Sequence, residues 1–192
     1  MKMNWLEKPI VNSKSWNWIY KRLIYNKFIN FIGDELNGNV LEVGCGIGKT
    51  TSWLKNRFSR IRITAIDYDE EQVETAKNEN AKLKNVRFLQ GDATKLKFKN
   101  SSFDYVIETN VFHHIENYPK AVKEVYRILK NNGKFYLMDI SQYFFGLPLI
   151  NLLFPPESYL TKNILIDKLE KNNFKIEKSK GRLLFFIAAK KV

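Results

Sequence analysis

Residues 40–51 read Val-Leu-Glu-Val-Gly-Cys-Gly-Ile-Gly-Lys-Thr-Thr, a short apolar run that leads into a glycine-rich loop. A run of this kind predicts a buried strand that stops at a turn, with a helix beginning near Thr50. Glycines at 44, 46 and 48 let the backbone turn tightly and bring its amides against a ligand, and the helix N-terminus adds partial positive charge. The stretch therefore predicts a strand, loop and helix that together bind a small ligand.

Three classes of cofactor use such a loop, and the glycine spacing separates them. A dinucleotide site has the pattern G-x-G-x-x-G, but Lys49 stands where the third glycine belongs. A phosphate-binding P-loop needs a glycine five residues before Gly48, and Val43 stands there. What remains is an acidic residue, Glu42, two places before a G-x-G-x-G loop.

Apolar runs and amphipathic segments alternate after this loop. Strands are predicted over 62–67, 86–90, 103–108 and 134–139, and helices over 50–58, 70–80 and 118–130. Strands that alternate with helices imply crossover connections and a parallel sheet with helices on both faces. The chain is therefore predicted to be an α/β protein with a doubly wound sheet.

Both ends of the chain extend this pattern. Apolar side chains at helical spacing, including Trp16, Ile19, Leu23 and Phe31, predict one amphipathic helix over 16–31.

A second terminal helix is predicted over 161–172, with Ile164, Leu165 and Leu169 facing inward. Strands over 174–177 and 183–189 follow it, joined at Gly181. Because the connection is short, these two strands must be antiparallel neighbours.

The length of 192 residues fits one domain, and we expect a single domain over residues 1–192. Its expected parts are an N-terminal helical cap (1–36), a cofactor-binding core (37–140), a hydrophobic connection or lid (141–160), and a C-terminal helix with a β-hairpin (161–192). The apolar stretch 143–154 is shorter than the roughly 20 residues that span a bilayer. Two interpretations stay open for it: a core-packed connection, or a wall for an apolar, lipid-like substrate.

Composition limits the remaining possibilities. The net charge of +12 invites a nucleic-acid partner, but the lysines are scattered, so such a partner is not favoured. One cysteine, Cys45, and two histidines make a metal site unexpected. The N-terminus does not read as a secretory signal and no segment reads as transmembrane, so a cytoplasmic location is predicted.

Residues 38–140 resemble the class I S-adenosylmethionine-dependent methyltransferases in motif content and order. Segment 40–51 resembles the first motif of that family, and segments 103–107, 111–115, 125–130 and 133–135 resemble the later motifs of its small-molecule, UbiE-like (methyltransferase type 11) branch. One departure is Asn131-Asn132, where that branch usually has Pro-Gly. The resemblance implies a Rossmann-like sheet, mostly parallel, with strand order 3-2-1-4-5-7-6 and a C-terminal antiparallel hairpin strand.

The resemblance also implies a cofactor, S-adenosylmethionine, with S-adenosylhomocysteine as its product. The residues that match cofactor-binding positions of the family are Glu42, Gly44, Gly46, Gly48, Asp67, Tyr68, Asp92, Ala93 and Asn110. Taken singly, Asp67 and Asp92 could equally be helix caps or turn formers, and Glu42 could pair with a lysine. Taken together, each follows or ends a predicted strand, where open α/β sheets bind their ligands.

Catalytic candidates come from the segment after the fourth strand, which faces the methyl group in this fold. They are Glu108, His113 and His114, since histidine and carboxylate side chains accept protons near neutral pH. A structural role for each histidine stays open. Glu108 is unusual at its position and would suit a cationic acceptor, or an aminopropyl transferase. Tyr20 and Tyr25 are weaker candidates, on the helix that covers the pocket in similar enzymes.

The predicted function is methyl transfer to a small molecule, because little of the chain lies beyond the catalytic fold to recognise a macromolecule. An apolar or lipid-like acceptor is one option. Two alternatives stay open: an RNA or other nucleic-acid methyltransferase, and a non-catalytic module that binds S-adenosylmethionine. The sequence does not decide the acceptor atom or the oligomeric state.

Overall fold

A computed structural model describes residues 7–13, 15, 18, 20–33, 36–142 and 160–192. These residues form a seven-stranded sheet in the order β3-β2-β1-β4-β5-β7-β6. The strands are β1 Gly38–Val43, β2 Ile61–Asp67, β3 Val86–Gln90, β4 Phe103–Thr109, β5 Leu129–Ile140, β6 Phe174–Gly181 and β7 Leu184–Lys191. The predicted strand order is confirmed. The apolar stretch 143–154 lies outside the described residues.

Strand direction also follows the prediction. Strands β1 to β5 pair in parallel, whereas β7 is antiparallel to both β5 and β6. The β6–β7 hairpin turns at Gly181, whose φ of +85° suits glycine and whose added Cβ would lie 2.1 Å from the Leu184 carbonyl oxygen. The carboxyl ends of β1, β4 and β5 therefore share one edge of the sheet.

The described α-helices are α1 Glu7–Asn12, α2 Asn26–Ile32, α3 Lys49–Arg57, α4 Glu70–Glu79, α5 Tyr118–Ile128 and α6 Lys162–Glu170, and side chains cap the last three. Asp69, Asn117 and Thr161 accept hydrogen bonds from backbone N–H groups in the first turns of α4, α5 and α6. Each cap satisfies an N–H that the helix itself leaves unpaired, which fixes where these helices begin.

Two apolar clusters cover the two faces of the sheet. On one face, α5 and α6 pack against β4, β5 and β7 through residues such as Val125, Leu165 and Phe135. On the other face, α2, α3 and α4 pack through residues such as Phe28 and Leu54. Helices on both faces of a mostly parallel sheet are the doubly wound arrangement that the alternating pattern predicted.

The helix predicted over 16–31 is confirmed for the described residues from Tyr20 onward, but it is not one regular α-helix. A π-helical turn, Lys21–Tyr25, precedes α2, and Trp16 and Ile19 lie outside the described residues. Leu23, predicted to face inward, is 54% exposed. The π-helical turn explains this exposure. Its hydrogen bonds join residues five apart rather than four, so side chains in and after the turn are rotated away from their α-helical positions.

Two smaller predictions about helices are also wrong. Helix α5 ends at Ile128 rather than at Lys130, because Leu129 already has extended backbone angles and begins β5. Ile164, predicted to face inward, is 36% exposed, whereas Leu165 and Leu169 are fully buried. Helix α6 therefore buries a narrower face than its sequence indicated.

Among the residues that the structure describes, no helix has the length and apolar character that crossing a lipid bilayer requires.

Candidate active site

The candidate site lies at the carboxyl edge of the sheet, between β1 and β4. Chain connections leave in opposite directions on either side of these two neighbouring strands, because β2 and β3 lie beyond β1 and β5 lies beyond β4. Open α/β sheets bind ligands at such a reversal. The loop after β1 and the loop after β4 meet there, since a Cβ added to Gly44 would lie 2.1 Å from Cγ2 of Val111.

The glycine loop follows β1 directly and is fixed by the neighbouring strand. The N–H groups of Gly44 and Cys45 both donate to the carbonyl oxygen of Ile66, at 2.8 and 2.9 Å. Gly46 has φ +51°, and a Cβ added to it would meet no atom within 4 Å. The bare backbone at Gly46 therefore borders open space, which is what close approach of a ligand requires.

Glu42 lies one residue before the end of β1, with its side chain fully buried. Thr51 in α3 donates to its Oε2 at 2.5 Å, and its Oε1 has no hydrogen-bond partner among the described residues. Burial raises the pKa of Glu42 to about 8, and the nearby charge of Asp67 adds to the rise against the Thr51 hydrogen bond. Glu42 thus has a buried oxygen for which the described part of the chain supplies no donor.

Asp67 ends β2 and holds the glycine loop. Its Oδ2 accepts from the N–H of Gly46 at 2.8 Å, and its Oδ1 accepts from the N–H of Asp69 at 2.9 Å. Burial raises the pKa of Asp67, and these two backbone donors counter the rise. Tyr68, the next residue, is 49% exposed at the same edge. The structure therefore brings Glu42 and Asp67 together, as the sequence predicted.

Asp92 has a more local contact. Its Oδ1 accepts from both the N–H and the hydroxyl of Thr94, at 2.7 and 2.8 Å, as a turn-forming aspartate does. The preceding Gly91 donates its N–H to the Asp67 carbonyl at 2.9 Å, so the loop of Asp92 and the buried Ala93 begins beside β2. Asp92 therefore lies at the same carboxyl edge of the sheet as Asp67, but the Asp92 carboxylate is hydrogen-bonded within its own turn.

Asn110 follows β4 and joins it to the N-terminal segment. Its φ of +57° is uncommon outside glycine, and such backbone angles concentrate at functional sites. Its Nδ2 donates to the hydroxyl of Tyr20 at 3.2 Å, whereas its buried Oδ1 has no partner among the described residues. Asn110 therefore presents a second unpaired acceptor on the site.

Glu108 lies within β4 and stabilises the loop that follows it. Its fully buried carboxyl accepts from the N–H of Val111 at 2.5 Å and of Phe112 at 3.3 Å, both through Oε1. Its Oε2 has no partner among the described residues. Burial raises the pKa of Glu108 well above its usual range, and the neighbouring Asp139 raises it further.

His113 and His114 form a short 3-10 turn with Phe112, and their rings lie 4.0 Å apart between centroids. His113 is buried, and its Nδ1 lies 2.5 Å from Oδ1 of Asp139. Sequence reasoning missed Asp139, although it stands near the end of a predicted strand. Its partner is 26 residues away, and only the adjacency of β4 and β5 joins the two.

Aromatic side chains cover one side of this edge. Trp53 of α3 lies against Tyr20 and Tyr25, with ring centroids 6.1 and 4.7 Å apart. Burial and the charge of Glu108 raise the pKa of Tyr20, which places its hydroxyl near that carboxyl group. Cys45 is buried with a raised pKa, so a nucleophilic role is disfavoured.

Comparison with known proteins identifies the family that this arrangement belongs to. The family model described as "Methyltransferase domain" matches residues 41–137, half of the chain, from within β1 to within β5. The chain belongs to this methyltransferase family. The predicted membership of the S-adenosylmethionine-dependent methyltransferases is confirmed, and S-adenosylmethionine is the cofactor of the family.

Two curated proteins that are similar to this chain have names that refer to demethylmenaquinone or to ubiquinone and menaquinone biosynthesis. Demethylmenaquinone methyltransferase of Leptospira interrogans is 32% identical over 146 residues, which are 72% of this chain and 59% of the relative. Ubiquinone/menaquinone biosynthesis C-methyltransferase UbiE of Rickettsia bellii is 35% identical over 128 residues, 63% of this chain and 51% of the relative. The chain spans between half and three fifths of the length of these relatives.

Solved structures share the methyltransferase's fold. A protein described as an S-adenosylmethionine-dependent methyltransferase from Aquifex aeolicus matches all of both chains, with a TM-score of 0.80 and 20% identity. A putative methyltransferase of Haloferax volcanii, solved with the Trm112 activator, matches 99% of this chain and 98% of its own, with a TM-score of 0.80 and 14% identity. At these identities, the similarity shows the fold.

Proposed function

We propose that this methyltransferase transfers the methyl group of S-adenosylmethionine to a small apolar acceptor of the quinol type. The observation that carries the proposal is the pair of buried, unpaired acceptor atoms, Glu42 Oε1 and Asn110 Oδ1, at the reversal of the sheet beside the open backbone of Gly46. Buried acceptors without a donor are costly, so a ligand with donor groups is expected to satisfy them.

The side chains of the candidate site match the functional groups of S-adenosylmethionine in charge and hydrogen-bonding character. Glu42 and Asn110 would hold the ammonium group of its methionine part, and Asp67 would hold the ribose hydroxyls. Gly44, Gly46 and Gly48 would line the loop, while Tyr68, Asp92 and Ala93 would border the adenine. When bound, S-adenosylmethionine supplies a methyl group on a positively charged sulfur and leaves as S-adenosylhomocysteine.

The chain's own contribution to transfer is mainly positioning. The glycine loop is held by Ile66 and Asp67, and the loop after β4 is held by Glu108, so both walls of the pocket are fixed before a ligand arrives. Holding the methyl donor and the methyl acceptor in line removes much of the entropic barrier to transfer. Excluding water from the site prevents side reactions of the charged sulfonium group.

Apolar and aromatic groups support the acceptor class. Tyr20, Tyr25 and Trp53 form an aromatic wall beside the site, and flat apolar rings pack well on such a surface. Relatives named for the methylation of demethylmenaquinone and of ubiquinone or menaquinone precursors favour the same class. A cytoplasmic location stays a prediction.

Two measurements test the proposal in order. Calorimetry with S-adenosylmethionine, NAD and ATP is expected to give binding for the first ligand alone. Incubation with methyl-labelled S-adenosylmethionine and a short-chain demethylmenaquinol in detergent is then expected to label the quinol. Cofactor binding without transfer to any of a broad panel of acceptors would instead favour a non-catalytic module.

A nucleic-acid acceptor remains the second candidate, since the net charge is +12. A protein that neutralises phosphates binds more weakly as salt rises, because binding releases counterions. Methyl label recovered in RNA, together with a steep loss of RNA binding between roughly 50 and 200 mM salt, would replace the quinol proposal.

A further inference from the structure

His113 and Asp139 form a buried pair on neighbouring strand ends. Asp139, near the end of β5, accepts from the backbone N–H of His113 at 3.2 Å through Oδ2, and its Oδ1 lies 2.5 Å from the ring Nδ1. Two contacts from one carboxylate fix both the backbone and the ring of the histidine. The proton between Nδ1 and the carboxyl leaves the basic lone pair of the ring on Nε2.

Glu108 is a second buried carboxyl group beside this pair. Glu108 and Asp139 are buried neighbours, and two buried carboxylates this close cannot both ionise easily. Burial and the charge of Asp139 keep Glu108 in its neutral form to a pH well above the usual range of its pKa. Asp139 has three N–H contacts: two from His113 and one from Ile140 at 2.6 Å.

We propose that His113 accepts the proton that the methyl acceptor loses, and that Asp139 is the positioning residue that holds its ring in the required orientation and tautomer. The inference rests on the proposed function and deepens it. It assigns the acceptor to molecules that must lose a proton to be methylated, namely phenolic or enolic hydroxyl compounds and the ring carbons that they activate.

The proposed step balances without any further reactant. The acceptor hydroxyl gives its proton to Nε2 of His113, and its electron pair makes the acceptor oxygen, or the ring carbon conjugated to it, nucleophilic. That atom forms a bond to the methyl carbon while the carbon–sulfur bond breaks, and the bonding pair goes to sulfur. The imidazolium that results is stabilised by Asp139. In transfer to carbon, the product is first a dienone, and its ring C–H proton then moves to the carbonyl oxygen, which restores the hydroxyl group and the aromatic ring.

Several titratable groups face His113 and enter its pH dependence. Asp139 comes from β5 and Glu108 from β4. The ring of His114 packs against it at a tilted angle within the same turn, and Tyr20 of the N-terminal segment lies near both carboxyl groups. Because Asp139 contacts the ring Nδ1 directly, its replacement is the sharpest test.

The first test needs no substrate. Proton NMR of the ligand-free protein is expected to show a strongly downfield resonance from the His113 Nδ1 proton, absent in Asp139→Asn and in His113→Gln. Asp167→Asn, which removes an exposed carboxylate from its pair with Lys171, is the control and should keep the signal. A wild-type spectrum without such a resonance would overturn the assignment.

The second test uses a series of naphthoquinols whose hydroxyl pKa values run from above to below the assay pH. Asp139→Asn and His113→Gln are expected to lower kcat by roughly 10²–10⁴-fold on the least acidic acceptor. On an acceptor already ionised, the loss should shrink to within about tenfold. Affinity for S-adenosylmethionine, measured by calorimetry, should stay within about threefold of wild type, and Asp139→Glu should recover part of the activity.

The possible failures are distinguishable. An equal loss on acidic and weakly acidic acceptors, with the pH profile of kcat unchanged, would reduce the pair to a structural role and overturn this inference alone. A wild-type protein that binds S-adenosylmethionine and methylates none of the series would overturn the proposed function, and the inference with it.

Discussion

The backbone N–H of Gly46 donates to Oδ2 of Asp67 at 2.8 Å, across 21 residues of sequence. Gly46 lies in the loop after β1, and Asp67 ends β2, so this hydrogen bond joins the two strand ends that line the candidate site. Because the second carboxylate oxygen of Asp67 accepts from Asp69, the side chain serves loop and strand end at once. Replacing Asp67 should therefore affect binding and stability together.

We predict that Asp67→Ala lowers the affinity for S-adenosylmethionine by at least about tenfold, equivalent to roughly 1.4 kcal/mol. It removes the acceptor of two backbone N–H groups, so the free energy of unfolding should also fall, by about 1–3 kcal/mol. Calorimetry and urea denaturation measure the two effects. The matched control is Asp167→Ala, an exposed carboxylate in α6, which should change neither. Wild-type affinity in Asp67→Ala would place the cofactor elsewhere.

The cofactor half of the site could be predicted because its residues follow a local rule. Glu42 and Asp67 stand at the ends of apolar runs, Asp92 follows a third run, and parallel strands bring their carboxyl ends to one edge. The same rule predicted the sheet itself. Asp92 shows the limit of the rule, since its carboxylate is held by Thr94 in a local turn.

The rest of the candidate site depends on contacts that no spacing reveals. Asn110 and Tyr20 are 90 residues apart, and their hydrogen bond needs the N-terminal segment to fold across the sheet edge. His113 and Asp139 meet only because β4 and β5 pair. Likewise, the π-helical turn before α2 follows no periodicity in the sequence. Tertiary packing, rather than local preference, decides these features.

The pKa of Glu42 predicts how stability depends on pH. The group has a pKa of about 8 in the folded protein and 4.5 as its ordinary value, so the folded state binds more protons between these pH values. Stability without ligand should therefore fall as pH rises from about 5 to 8, by a few kcal/mol. Urea unfolding at several pH values measures the slope. Glu42→Gln should flatten it in part, because Glu108 contributes with the same sign. A slope unchanged in Glu42→Gln would contradict the assignment to Glu42.

The same protonation predicts proton release on cofactor binding. At pH 7 the Glu42 carboxyl is largely protonated without ligand, and a bound ammonium group favours its charged form. Calorimetry at pH 7 in phosphate and in Tris, which differ in ionisation enthalpy, should report up to about one proton released. Glu42→Gln should abolish that release, while Glu74→Gln, which changes an exposed carboxylate in α4, should preserve it. Equal proton counts for wild type and Glu42→Gln would contradict the prediction.

Gly44 and Gly46 offer a matched pair of substitutions in one loop. Both have positive φ, +72° and +51°, so an alanine costs about 1–2 kcal/mol at either position. Only at Gly44 would the new Cβ overlap a neighbour, Cγ2 of Val111 at 2.1 Å, which adds about 1–3 kcal/mol. Gly44→Ala should therefore destabilise the fold more than Gly46→Ala, whereas Gly46→Ala should weaken cofactor binding at nearly normal stability.

A double-mutant cycle separates the overlap at Gly44 from the backbone term. Val111→Ala alone removes buried apolar contact and should destabilise the protein, but in the Gly44→Ala background it also removes the atoms that the new methyl group meets. The two substitutions should therefore cost less together than the sum of their single effects, with an interaction energy of roughly 0.5–3 kcal/mol in urea unfolding. Strict additivity would mean that the loops after β1 and β4 do not touch at this point, and the pocket drawn between them would lose its inner wall.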